Sequence, residues 1–590
     1  MSQPTAAESS TSNEKFKAPM IKENKMMNQE IHIVNHTSEL KDCRKEWTYN
    51  KDFSCWCLED ILYTKKPAAP KFQRMSIFVP APYMADGELV PEGRCGNYKA
   101  INAPVVFENN SAGYAEMEHT KLGGDRNYAK SYLEAGMVYV TCGCRGRQTT
   151  AANGTFIGKA PTVLVDLKMA IRFLRHNKEA LPGDLGRIIS IGWSAGGAMS
   201  SLLGVTGNAA VFGPLLRDAG AFMEETDDVF AAQVYCPIID LEHADLMYEW
   251  QYRTSPDYED SPFEPGGSLT ALQKALSGKL SDCFILYFNG MQLKNPKTGE
   301  TLSINEDGRS GNGYDFLMEQ LSDSATVFLG KLSAGELKAS YDIEQYLKGD
   351  YTYEVPDFAA LEHLMKAMKE SGKAKGAGVP EGEAQEPGKA ENSYEGHGIH
   401  VHMPKLPMKT LKGDDTRGWL SWDGKKARVA SLDAYTKEHR KRMKNCPSFD
   451  FLSCLSGENQ EFGDEHTDFV HFDPAVADLL DELKDAYPEE YKKYYPGFAK
   501  AAADEKLKRR CDLINPFYFI GRDKSCRMAE YFRINVGSKD ADTSFMASLI
   551  LYLKLAGIKG CDAQYHLIWD QPHSEADYPG EAVKWIEFIV

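Results

Sequence analysis

The chain has 590 residues, 42% of them hydrophobic and 11% aromatic, ample for a large core; length alone suggests about four units of ~150 residues. Its 68 Lys and Arg against 85 Asp and Glu leave a net charge of −17, a sign that repels phosphate backbones and anionic lipid and argues against nucleic acid as a partner. No run of ~18 apolar residues occurs, so no membrane span is expected.

Residues 1–30 are rich in Ser, Thr, Glu and Lys and read as a disordered N-terminus. They lack the apolar core of a signal peptide. The 13 cysteines are odd in number and scattered, which reads as reduced thiols in a cytoplasmic protein. Short β-rich runs follow at 75–83 (MSIFVPAPY), 103–110 (APVVFENN) and 137–147 (MVYVTCGCRGR), each closed by Pro, Asn or Gly. Over 161–177 the apolar residues Val163, Leu164, Leu167, Ala170, Ile171 and Leu174 recur at helical spacing behind Pro161. A strand at 187–192 (RIISIG) and a helix from Ala195 (AGGAMSSLLGV) continue the alternation, which implies a parallel sheet. The middle of the chain is mainly helical, as at 358–371 and 474–487, and carries a low-complexity stretch poor in aliphatic residues at 372–398. Strand–helix alternation returns at 530–537, 543–558, 563–569 and the closing GEAVKWIEFIV.

The simplest architecture is an α/β core of mostly parallel sheet built from 31–236 and 516–590. A large, mainly helical lid domain over 237–515 is inserted in it, with 372–398 as a flexible segment. Such a lid lies over the C-terminal edge of the sheet, where open α/β sheets bind their ligands.

Gly192-Trp193-Ser194-Ala195-Gly196 fits the G-x-S-x-G elbow. There a sharp strand-to-helix turn strains the serine, and small residues two positions either side let strand and helix approach. A serine hydroxyl needs a base to take its proton, and in this fold acid and base follow the serine in that order. His573 is the one histidine of 14 placed between a late strand and the last helix. Asp540 comes first after the preceding strand and its glycine turn, and is expected to hold the His573 tautomer. Asp542, two residues on, reads either as the N-cap of the helix from Thr543 or as a neighbouring site carboxylate. The oxyanion hole takes one N–H from Ala195 and a second from the 108–116 loop, with Gly113 preferred over Asn109 or Asn110. Near neutral pH His573 must be uncharged, so activity is expected to fall below about pH 6, given an ordinary imidazole pKa near 6.5.

Together GWSAGGAMSSLLGVTGN, VYCPIIDLEHADLMYEWQY, FDFLSCLSGENQEFG, SKDADTS and WDQPHSEADY resemble the bacterial tannases, tannin acyl hydrolases of the α/β-hydrolase fold, over about 70–590. The resemblance implies a serine esterase that cleaves galloyl esters without a cofactor, with Ser194, Asp540 and His573 as triad and an acyl-enzyme intermediate. It also implies that Lys444, Glu458 and Asp542 grip the phenolic hydroxyls. Chemically the trio is apt: adjacent hydroxyls offer donors to carboxylates and an acceptor to an ammonium. Fungal tannases and feruloyl esterases join cysteines beside the catalytic Ser and His in a disulfide; here those neighbours are Trp193 and Ser574, which excludes that subgroup. Trp193 is bulkier than the family's small residue and is expected to reshape the pocket. The alternatives are a feruloyl or other aromatic-acid esterase, a peptidase on the same triad, and a catalytically silent binding protein. No metal is expected: His397, His400 and His402 border the low-complexity stretch and lack an acidic partner, and the C-x-C pairs do not have zinc spacing. Arg145 and Arg147 are read as loop braces.

Overall fold

The computed structural model describes residues 40–109, 111–122, 128–259, 261, 265–337, 339–356, 360 and 407–590. The chain divides into two units, Met1–Asn35 and His36–Val590, and all described residues lie in the second. The N-terminus expected to be disordered, Asn110, the 372–398 stretch, the three histidines after it, and all but the third residue of the 358–371 helix fall outside the described residues.

A nine-stranded sheet organises the chain. Its strands are β1 (Thr48–Asn50), β2 (Cys55–Leu62), β3 (Arg74–Pro80), β4 (Val105–Asn109), β5 (Val138–Cys142), β6 (Ile188–Trp193), β7 (Ala231–Tyr235), β8 (Tyr531–Gly537) and β9 (Asp562–Ile568). They lie in the order β1-β2-β3-β5-β4-β6-β7-β8-β9. The first three pairings are antiparallel and the rest parallel. Strands β4 to β7 are buried at every position, the near-continuous apolar pattern of a parallel sheet covered on both faces. The covering helices are α1 (Tyr128–Glu134), α2 (Thr162–His176), α3 (Ala195–Val205), α9 (Phe545–Ala556) and α10 (Glu581–Ile589). Helix α3 is buried all round, and its small residues let it lie close over β6 and β7. Helix α2 follows the expected periodicity but also buries Lys168 and Arg172, which pair with the buried Asp227 at 2.7 and 2.6 Å. Removing one member of such a cluster costs about 3–5 kcal/mol.

Between β7 and β8 lie α4 (Leu241–Gln251), α5 (Ala271–Gly290), α6 (Asn312–Ser333), α7 (Pro474–Glu482) and α8 (Pro488–Ala502), with small two-stranded ribbons such as Leu420–Trp422 against Ala427–Val429. The fold is therefore that of an α/β hydrolase with helical insertions. Among the described residues no helix is long and apolar enough to cross a membrane, and all thirteen cysteines are free.

Some elements differ from expectation. The β1–β2 ribbon and β7 carry no recognised signal in the sequence. In β7 the buried Gln233 interrupts the apolar run; it is satisfied only by Arg533 on β8, at 3.0 Å. The helix expected over 474–487 ends at Glu482. The one expected from Thr543 begins at Phe545, capped by Ser544, whose side chain accepts the Met546 N–H. Asp542 is thus not the cap.

Candidate active site

Ser194 stands where β6 turns into α3, with φ 58° and ψ −126°. This left-handed backbone costs a non-glycine residue about 1–3 kcal/mol. Sterics explain its glycines. A Cβ on Gly192 would lie 2.3 Å from the Gly196 carbonyl oxygen, and one on Gly196 2.9 Å from that of Asn109. Trp193, beside the serine, is buried, its ring 6.3 Å from that of Tyr128.

The sheet register brings the other groups to the same edge. Trp193 pairs with Tyr235, Tyr235 with Asn535, and Asn535 with His566, so the loops after β6, β7, β8 and β9 emerge side by side. Those after β8 and β9 are zipped together: Ser538 and Lys539 donate N–H to Ile568 and Gln571 carbonyls at 2.9 and 2.8 Å, and Asp570 N–H donates to Ser538 Oγ at 2.7 Å. Asp540 is thereby held with Oδ2 at 2.9 Å from His573 Nδ1, both side chains buried. Its other oxygen accepts the Asp542 N–H at 3.0 Å, and the Asp542 carboxylate lies near enough to His573 to act on it electrostatically. Burial alone would lower the His573 pKa. The Asp540 carboxylate, with that of Asp542, outweighs it and holds the imidazole well above its ordinary value.

Cys236 had no role in the sequence reading. Its thiol lies against both the Ser194 N–H and the His573 imidazole; burial pushes its pKa up and those contacts pull it down. Cys236, Asp540 and His573 are the one group of potential metal ligands found among the described residues. Asp540 is already engaged with the imidazole, and the thiol donates to the Ser574 carbonyl, with Sγ 3.2 Å from that oxygen, so the cluster does not read as a metal centre.

The 111–116 loop packs against α3, the helix that Ser194 opens. Gly113 has φ +56°, and its carbonyl accepts from Arg147 Nε at 2.8 Å. Tyr114 OH donates to the Ile238 carbonyl at 2.6 Å. Asn109 spends its side-chain N–H groups on Ile191 O and Ser200 Oγ at 3.1 and 2.8 Å, bracing the elbow. Arg145 pairs with Asp166 at 2.6 Å. Arg147 also donates to Gln460 Oε1, tying the Gly113 loop to the short helix Gly457–Glu461, which carries the half-buried Glu458. Lys444 is buried in a loop beyond the helix Leu432–Glu438, with Nζ 4.0 Å from the centre of the Phe449 ring.

A family profile described as BD-FAE matches residues 102–251. No curated protein matches the chain. Among solved structures it is similar to the native tannin acyl hydrolase from Lactobacillus plantarum, at 28% identity over 91% of this chain and 94% of that one, with a TM-score of 0.67. It is similar to a tannin acyl hydrolase in complex with ethyl gallate (28%, 91% and 94%, TM-score 0.66) and to Fusobacterium nucleatum tannase (28%, 91% and 95%, TM-score 0.67). The chain is an enzyme of the α/β-hydrolase class, a carboxylic ester hydrolase. Within that class the solved structures it is similar to over about nine-tenths of its length are bacterial tannases.

Proposed function

We propose that this enzyme hydrolyses galloyl esters through a Ser194–His573–Asp540 triad and an acyl-enzyme. The observation that carries the reading is the buried 2.9 Å contact between His573 and Asp540 at the sheet edge that presents the strained Ser194. In it, His573 takes the Ser194 proton as Oγ attacks the ester carbonyl, then passes that proton to the leaving alcohol. Water repeats the sequence in the second half and releases gallate. The developing oxyanion is held by the Ala195 N–H, at the unsatisfied N-terminus of α3, and by the Gly113 N–H, each donor worth about 3–4 kcal/mol in the transition state. Residues 237–515 act as a lid that supplies Lys444 and Glu458. With Asp542 these meet the ring hydroxyls. The ligands of related tannin acyl hydrolases, ethyl gallate and 3,4-dihydroxybenzoate, support this assignment.

The test is a hydrolysis panel of methyl gallate, methyl ferulate and methyl benzoate. Gallate is expected to be preferred; a preference for ferulate overturns the galloyl reading in favour of a feruloyl esterase. Lys444→Ala is expected to lower kcat/KM for methyl gallate by about 10–100-fold, the worth of a charged hydrogen bond, and to leave methyl benzoate within about twofold, because benzoate has no hydroxyl for it to meet. Equal losses on both esters count against that role.

The pH dependence follows from the raised His573. A base must be neutral to act, and a raised pKa keeps it protonated to higher pH. The acid limb of kcat/KM is therefore expected above the ordinary imidazole value of about 6.5, higher than the sequence alone suggested. Asp542→Asn removes one of the carboxylates that raise it and is expected to move the limb to lower pH. A profile flat down to pH 4 refutes His573 as the base.

A further inference from the structure

One face of helix α4 holds the two segments proposed to meet the substrate ring. Asp245, Tyr248 and Glu249 stand at positions i, i+3 and i+4, so they share that face. Asp245 accepts the N–H groups of Ser448, Phe449 and Asp450 at 2.5, 2.8 and 3.1 Å. Glu249 accepts both terminal nitrogens of Arg442 at 2.8 and 2.6 Å, and Arg442 Nε donates to the Lys444 carbonyl at 2.6 Å. At the end of the same helix Gln251 Oε1 accepts the Phe545 N–H at 3.0 Å, fixing the chain just beyond Asp542. The two segments meet at one atom. The hydroxyl of Tyr248, a fully buried residue, accepts the Met443 N–H at 3.2 Å and donates to the Ala541 carbonyl at 2.9 Å. Met443 immediately precedes Lys444, and Ala541 lies between Asp540 and Asp542.

We infer that Tyr248 is a specificity-determining positioning residue: its hydroxyl sets the separation of Lys444 and Asp542, and with it the ring the pocket accepts. This rests on the proposed roles of those two residues. A ring with adjacent hydroxyls has fixed spacing, so groups that meet it gain only when they are held at matching spacing. Removing the Tyr248 oxygen leaves a half-buried N–H and a buried carbonyl each short of a partner and frees two segments to slip past one another. The aromatic ring and its packing stay.

The test is Tyr248→Phe, assayed on methyl gallate and methyl benzoate, alone and with Lys444→Ala, together with gallate binding by calorimetry, which needs no turnover. The gallate-to-benzoate ratio of kcat/KM is expected to fall about tenfold, the worth of one to two ordinary hydrogen bonds. The fall is expected in KM, with gallate binding weakened in parallel, benzoate turnover kept, and the acid limb of the pH profile unmoved. In the Lys444→Ala background the further loss is expected to shrink toward none. A wild-type ratio that persists in Tyr248→Phe overturns the inference, even if the variant melts lower. An equal fall on both esters overturns it too, because Tyr248 then acts on the Asp540 loop and not on ring recognition. A wild-type enzyme that does not distinguish the esters fails the galloyl reading itself, a separate outcome.

Discussion

Ser194→Ala is expected to lower turnover of methyl gallate by about 10⁴–10⁶-fold, the range seen when a triad nucleophile is removed and only oxyanion stabilisation and binding persist. Alanine suffers the same positive-φ strain as serine at this turn, where φ is 58°, so the melting temperature is expected to stay nearly unchanged and gallate to bind still. Intact-mass spectrometry after phenylmethanesulfonyl fluoride gives a second readout: one adduct on the wild type, mapping to Ser194, and none on the variant. A variant that keeps more than about a hundredth of the turnover sinks the nucleophile assignment, given the size of loss such deletions produce.

The second large effect is expected from Asp540→Asn, about 10⁴-fold in kcat. The substitution is nearly isosteric, and its consequence follows from two hydrogen bonds. Oδ1 accepts the Asp542 N–H, and Oδ2 faces His573 Nδ1. An asparagine that keeps its oxygen on the Asp542 N–H turns its NH₂ toward Nδ1. The imidazole must then carry its proton on Nε2, the nitrogen that has to accept from serine. Losing the carboxylate also removes the main influence raising the His573 pKa, so residual activity is expected to show its acid limb at lower pH. A variant with near-normal kcat and an unmoved limb means that another carboxylate orients the histidine.

The ends of the chain were readable because their strands and helices are local patterns. β6, α3, β8 and β9 match the expected runs to within a residue or two, and the elbow's glycines have steric causes within one turn. The loops holding Asp540 and His573 could be nominated as strand-to-helix turns. Their mutual contact depends on backbone pairing between two different loops, which no local pattern encodes. β7 was missed because Gln233 makes sense only beside Arg533. Tyr248, Cys236 and the Gln460 partner of the expected brace Arg147 were invisible for the same reason. Each is an ordinary core or loop residue until a partner from a distant segment arrives, as with Tyr248 and Ala541 or Arg147 and Gln460.

The strand order also constrains how the molecule is made. β7 pairs with β6 on one side and β8 on the other, yet almost three hundred residues separate Tyr235 from Tyr531. While the ribosome makes that excursion, β7 is a bare edge of apolar backbone, the kind that recruits strands from other chains. Ser194 has been made by then, but the histidine proposed to activate it has not. Until the final two strands are added, β7 has no partner on that side and the proposed triad lacks both Asp540 and His573.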